Sequence, residues 1–133
     1  MSTLVKIVVV LSAASMLVTG VWARVDPAGF AAWAGWPNHV HFLHDAGVFQ
    51  IGIGLMLVCA LRWRDAVTLV LAGFVVTNTF HAVNHATDLG LGGRASDPWL
   101  LLAFSLVGLA GLVARLRVLS GRRARPAGEG VRA

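Results

Sequence analysis

Residues 66–88 read AVTLVLAGFVVTNTFHAVNHATD, and this stretch decides how the rest of the chain is interpreted. Its only charged residue is Asp88, at the very end. Because a helix rises about 1.5 Å per residue, about 20 apolar residues cross the ~30 Å hydrocarbon core of a bilayer. The stretch therefore predicts a membrane-spanning helix, although its last turns carry His81, Asn84 and His85.

The composition of the whole chain agrees with this interpretation. Of the 133 residues, 57% are hydrophobic and only 13% are charged. The mean hydropathy of +0.76 lies outside the usual range of soluble domains. Four segments are long and apolar enough to cross a bilayer: 4–23, 42–61, 66–87 and 98–118. Since the connections are short, we expect an all-α fold, an integral membrane antiparallel four-helix bundle within residues 1–119.

The connection at 24–40 is expected to contain a short helix of its own. Asp26 and Pro27 suit the N-cap and the first helical position, and Gly35 and Pro37 end the pattern. Aromatic residues at helical spacing between them favour a helix that lies in the membrane interface after the first span.

The basic residues are divided unequally between the two ends of the predicted bundle. Four spans place both termini on one side, which leaves only Arg24 and Arg94, of 11 Lys and Arg residues, on the other side. By the positive-inside rule we expect a multi-pass protein of the bacterial plasma membrane with both termini in the cytoplasm. All five histidines then lie toward the outer face.

The first segment also resembles a secretory signal peptide, because Val21, Trp22 and Ala23 form a cleavage-like pattern. However, Lys6 is the only basic residue before it, and the apolar run is longer than that of a typical signal peptide. We therefore expect the first helix to be retained.

Residues 120–133 read SGRRARPAGEGVRA and are rich in Arg, Gly and Pro. A segment this poor in apolar residues does not fold alone, so we expect a disordered basic cytoplasmic tail near anionic headgroups. The sequence pI of 11.4 does not indicate nucleic acid, since the basic residues are divided among membrane flanks. The expected partners are the lipid bilayer and, as an open alternative, another membrane protein; no nucleic acid is expected.

Polar side chains form one stripe on the second predicted span and one on the third. By helical projection, each stripe covers an arc of about 100–120°. The arc on the second span contains His41, His44, Asp45 and Val48, and the arc on the third contains Thr77, Asn78, His81, Asn84, His85 and Asp88. The site is assigned to His41, His44, Asp45, His81, His85 and Asp88. Gln50 projects to the opposite side of its helix and is left out of the site. Because the turn near Trp63 is short, the two stripes are expected to lie level and to face each other.

The residue types of this predicted site suit a divalent transition metal. Two histidines spaced by three or four residues share a helix face and can bind one ion, which a carboxylate can also bind. Imidazole and carboxylate without thiolate favour Fe, Zn, Mn or Cu(II), and Cys59 alone cannot build a cysteine-based zinc site. A haem between facing histidines is a less favoured alternative, and a polar helix end without a ligand is another.

Three stretches carry a resemblance to a known family: DPAGFAAWAGW at 26–36, HDAGVFQIGIGLMLVCALRWRDA at 44–66 and HAVNHATDLGLGG at 81–93. Together with the four spans, they resemble small four-helix bacterial membrane proteins of the DoxX-like kind, especially actinobacterial ones, over most of residues 4–119. The resemblance implies a link to quinone-coupled redox chemistry, which some members have. It assigns no site residue.

The function expected from this site is a metal-dependent oxidoreductase or hydroxylase acting on a lipid-phase substrate. Catalytic residues are not assigned. The alternatives are a non-enzymatic accessory subunit, a metal carrier, or a haem- or quinone-binding membrane protein.

Overall fold

The computed structural model describes residues 1–123, which form five helices and no strand. The helices are α1 (Thr3–Val25), α2 (Pro27–Ala34), α3 (Val40–Arg62), α4 (Val67–Thr87) and α5 (Asp97–Arg123). The predicted all-α fold class is confirmed. Every helix except α2 is long and apolar enough to cross a membrane, by length and composition. The short helix α2 occurs where a helix was predicted after the first span.

Capping explains why α1 and α2 are separate helices. The backbone N–H of Asp26 donates to the Trp22 carbonyl oxygen and ends α1, while its carboxylate accepts from the Gly29 N–H at 2.9 Å and begins α2. Pro27, which lacks an N–H, takes the first helical position. Gly35, with φ 75°, then ends α2 in the left-handed region that favours glycine.

The last helix is longer than predicted. It continues to Arg123, past the expected end at residue 118. The rest of the predicted tail, 124–133, lies outside the described residues.

The closest helix contact joins α1 to α3, because glycines let their backbones meet. A Cβ added at Gly20 would lie 2.9 Å from the Gly47 carbonyl oxygen, and one added at Gly47 would lie 2.7 Å from the Gly20 carbonyl oxygen. A Cβ at Gly54 would lie 2.6 Å from Leu17 Cγ. Residue numbers therefore rise along α1 as they fall along α3, with small residues at the interface as in membrane helix pairs.

The helices α4 and α5 form a second pair with the same opposed sense. A Cβ added at Gly108 would lie 2.9 Å from Phe74 Cδ1, and Asn78 donates to the Leu101 carbonyl oxygen and the Ser105 hydroxyl, at 2.6 and 3.0 Å. By contrast, α3 and α4 touch each other only sparsely. The bundle therefore consists of two helix pairs, α1–α3 and α4–α5.

A single core joins the two pairs. Its buried side chains are Val5, Val8, Val9, Ala13, Leu57, Ala60, Val67, Leu71 and Phe74. Many other large apolar side chains of the long helices are exposed, among them Phe49 at 72% and Leu69 at 77%. An apolar surface this extensive is compatible with helices that cross a membrane.

The two ends of the bundle differ in charge. We define the basic end by Lys6, Arg62, Arg64, Arg115 and Arg117. There, the buried Arg115 donates from Nη2 to the Arg64 carbonyl oxygen at 2.9 Å and so holds α5 against the turn between α3 and α4.

We call the opposite end the histidine end, and two loops meet there. The Gly93 N–H donates to the Gly35 carbonyl oxygen at 2.9 Å. Arg94 donates to the Trp33 carbonyl oxygen, and its guanidinium lies 5.8 Å from the centroid of the Trp33 ring. Gly92 and Gly93 have φ of 145° and 85°, values that side chains rarely permit. The glycine-rich loop after α4 is thereby fastened over the end of α2.

Candidate functional site

A cavity of about 150 Å³ lies between α1, α3 and α4. Its apolar lining consists of Met16, Phe49, Ile53 and Phe74, and its polar lining consists of Gln50, Thr77, Asn78 and His81. A mainly apolar cavity with a few converging polar groups is the usual form of a small-molecule site. The cavity is therefore a candidate binding site for a small molecule.

One of its polar residues, Asn78, is buried with half of its amide unpaired. Because the Leu101 carbonyl can only accept, the Asn78 nitrogen must face it, and Oδ1 is fixed on the other side of the amide. Asn78 Oδ1 is buried and has no hydrogen-bond partner. A buried acceptor left unpaired costs about 1–3 kcal/mol.

Gln50 reaches the same cavity from α3. Its amide oxygen lies 2.6 Å from the Thr19 hydroxyl, which also lies 2.7 Å from the Ser15 carbonyl oxygen. Since that hydroxyl has a single proton, the Gln50 amide can face it with either its oxygen or its nitrogen. In both orientations Thr19 holds one end of the amide. The sequence-based projection placed Gln50 on the side of α3 opposite to His41 and Asp45, and this is the side that lines the cavity.

A chain of three polar side chains connects the cavity to the histidine end. His81 lines the cavity, and its Nε2 lies 3.1 Å from Nε2 of His85, one turn further along α4. Nδ1 of His85 lies 3.6 Å from Oδ2 of Asp97, at the start of α5. We call His81, His85 and Asp97 the polar relay. The first of these contacts is a hydrogen bond and the second is an ion-pair contact, and together they place three titratable side chains in a line from the cavity to the bundle end.

The outer part of the polar relay is partly covered. The His85 and Asp97 side chains are only 16% and 21% exposed. The edge of the Trp36 ring meets His85 with ring centroids 5.5 Å apart, and Asp97 Oδ2 is oriented by the Arg94 N–H at 2.8 Å. The loops of the histidine end thus hold both residues in place.

The polar stripe on α3 lies elsewhere. His41 Nε2 lies 3.5 Å from Asp45 Oδ2, and these side chains are 86% and 59% exposed. His44, between them, is half-buried. The buried residues Leu43 and Gly47 define the face of α3 that meets the bundle, and by helical projection His41 and Asp45 lie on roughly the opposite face.

The structure thus divides the predicted metal ligands between separate places. His81 and His85 are together, His41 is with Asp45, and Asp88 accepts a 3.4 Å hydrogen bond from Thr87 at the end of α4. Within residues 1–123, no three His, Cys, Asp or Glu side chains are grouped so as to hold a metal ion. Metal binding stays a prediction for the six residues His41, His44, Asp45, His81, His85 and Asp88.

Sequence reasoning missed Asp97 and Gln50 as site residues. The position of Asp97 could have been predicted, because residues equally far from the middle of a short connection between two helices lie at about the same level. Across the α4–α5 connection, this places residue 97 close to the level of His85. The role of Gln50 could have been predicted from Ser15 and Thr19, which lie one turn apart on α1 and form a polar face that can pair with a polar side chain of α3.

No family model, no curated protein and no solved structure matches this chain.

Proposed function

We propose that this chain is a multi-pass bacterial plasma-membrane protein that binds the ring head of a lipid-phase molecule. The four long helices cross the bilayer as an antiparallel bundle, with both termini and the basic end in the cytoplasm. The apolar exposed surface supports insertion, and the concentration of Lys and Arg at one end supports this orientation. The histidine end then faces outward.

The size and lining of the cavity support a ring as the bound group. An engineered cavity of about 150 Å³ binds benzene, and the present cavity has a similar volume. Phe49, Ile53 and Phe74 contact the ring faces, while Gln50 and Asn78 pair with polar substituents. A phenol or quinol fits this combination because its hydroxyl both donates and accepts.

The arrangement of α3 and α4 supports direct access to this cavity from the lipid phase. Two of the residues that line it, Phe49 and Thr77, are exposed on neighbouring helices, and α3 and α4 touch only sparsely between them. A molecule with an apolar tail can therefore insert its head sideways while the tail stays among acyl chains.

The polar relay supplies a proton path for such a ligand. The hydroxyl of a bound phenol or quinol lies in the cavity that His81 lines, and His85 and Asp97 continue toward the outer face. A proton released at the ring can thereby reach the outer side without crossing lipid.

The observation that carries this proposal is the convergence of Gln50, Asn78 and His81 with apolar side chains on one cavity of about 150 Å³. Its test is isothermal titration of the full chain, in mild detergent, with para-decylphenol and with decylbenzene. We expect decylphenol to bind at least about fivefold more tightly, since one satisfied buried hydrogen bond is worth about 1–3 kcal/mol. Replacing His81 with Gln should reduce that preference, and the matched control His41→Gln, on the exposed stripe, should keep it. Equal binding of the two probes by the unaltered chain refutes the proposal.

A metal-dependent reaction is the second candidate, and one distance favours it. Two imidazole nitrogens bound to one tetrahedral ion by ~2.0–2.1 Å bonds lie about 3.3 Å apart, and the two Nε2 atoms of α4 are 3.1 Å apart. Two further ligands would be needed to complete such a site, of which an oxygen atom of the molecule in the cavity would be one. The DoxX-like resemblance and a role as an accessory subunit stay predictions.

A further inference from the structure

A second concave surface lies on the opposite flank of the molecule, between α1 and α5. This groove has a volume of about 390 Å³ and is separate from the cavity beside His81. Its lining consists of Leu4, Leu106, Leu109, Ala110, Val113, Ala114 and Arg117. Ala110 and Ala114, one turn apart, form its shallow floor, and larger aliphatic side chains form its walls.

The length of the groove matches one leaflet of a bilayer. From Leu106 to Arg117, α5 rises roughly 16 Å at 1.5 Å per residue. Half of a ~30 Å hydrocarbon core is about 15 Å. The groove therefore extends from near the bilayer centre to the membrane surface at the basic end.

The charge at the end of the groove that lies at the basic end of the bundle is unbalanced. Arg117 is exposed and is the one charged residue of the lining. Neither ion pair found among residues 1–123 involves it. A phosphate group at this position would meet one basic side chain and no lining carboxylate.

We infer that the groove holds one acyl chain of an anionic phospholipid, with the phosphate of that lipid at Arg117. This inference rests on the membrane insertion proposed above but not on ring binding. A second copy of the chain is a poorer occupant, because a two-fold contact through this groove would bring two Arg117 side chains toward each other. A zwitterionic lipid fits the walls equally well but gains less from the uncompensated charge.

Native mass spectrometry of the full chain tests this inference. The chain is exchanged into nanodiscs that contain phosphatidylglycerol and phosphatidylcholine with identical acyl chains, and the lipids retained after release are counted. We expect phosphatidylglycerol to be retained preferentially. Replacing Arg117 with Gln should reduce the preference about fivefold, since one basic residue at the surface contributes about 1 kcal/mol.

Two further variants separate a built site from diffuse attraction. Arg62→Gln removes a charge at the same end but outside the groove, so the preference should persist. Ala110→Phe fills the floor and should lower retention of both lipids. Equal retention by the unaltered chain, an equal effect of Arg62→Gln and Arg117→Gln, or a protein dimer in place of bound lipid overturns the inference. Arg117→Gln should leave decylphenol binding unchanged, so this result is independent of the proposed function.

Discussion

The Nε2 atoms of His81 and His85 lie 3.1 Å apart on successive turns of α4. Between two neutral rings at this distance, one nitrogen donates and the other accepts. Because the Asp97 carboxylate can only accept, it favours a proton on the facing Nδ1 of His85. His85 Nε2 is then the acceptor, and His81 donates from Nε2.

This reasoning predicts the tautomer of each ring. Nitrogen NMR of the chain with labelled histidine should show a protonated Nδ1 in neutral His85 and a protonated Nε2 in neutral His81. Replacing Asp97 with Ala removes the acceptor and should abolish the preference in His85. The control Asp45→Ala, beside the exposed His41, should leave both α4 rings as they are. A His85 ring protonated on Nε2 in the unaltered chain would contradict the relay as assigned.

The orientation in the membrane is tested by cysteine labelling of intact cells. In a Cys59→Ser background, an impermeant maleimide should modify Ser96→Cys, in the loop before α5, and should not modify Asp65→Cys, in the turn at the basic end. Both positions are exposed at the ends of helices. The reverse pattern would invert the topology and turn the polar relay toward the cytoplasm.

The glycine contacts predict opposite effects at two positions of α3. Gly47→Ala places a methyl group 2.7 Å from the Gly20 carbonyl oxygen, and since backbone cannot rotate aside, overpacking should cost about 1–3 kcal/mol. Gly52→Ala meets nothing within 4 Å and should gain up to about 1 kcal/mol from helix propensity. Thermal unfolding in one detergent, followed by circular dichroism, compares them. Similar melting temperatures for the two variants would show that α1 and α3 are not locked by this contact.

Metal content decides between the two functional candidates. If the paired Nε2 atoms bind an ion, elemental analysis of the purified chain should find stoichiometric Fe, Zn, Mn or Cu, and the double variant His81→Gln, His85→Gln should lose it. If His41→Gln, His44→Gln lowers metal content equally, the ion belongs to the α3 stripe or to a site shared by both helices. Decylphenol binding in the absence of metal supports the direct ring site.

Much of the fold could be predicted because it depends on local properties. Long apolar segments gave four helices with ends close to those expected, and the Asp26–Pro27 pair marked the break between α1 and α2. The end of α5 was missed because residues 119–123 combine helix-forming and loop-forming types, and only the chain that precedes them decides which tendency prevails.

The site was less predictable because it depends on which helices become neighbours. Chain order favoured α3 against α4, whereas the glycine faces direct α3 onto α1 and the Asn78 hydrogen bonds direct α4 onto α5. A helical projection finds a polar stripe but does not say which side of the helix meets the bundle. That is why the sequence could place His81 and His85 on one polar face but could not place Gln50 or Asp97 near them.

The sparse contact between α3 and α4 also has a mechanical consequence. Glycines fix α1 on α3, and Asn78 fixes α4 on α5, whereas the two pairs are joined by the shared core. In the proposed bilayer, the width of the cavity between the pairs therefore also depends on the lateral pressure of the surrounding acyl chains. Membrane tension lowers this lateral pressure. We therefore expect decylphenol affinity to change when vesicles that carry the chain are stretched osmotically, and to be insensitive to tension if the two pairs move as one body. A chain built this way would couple the chemistry at His81 to the mechanical state of the bilayer.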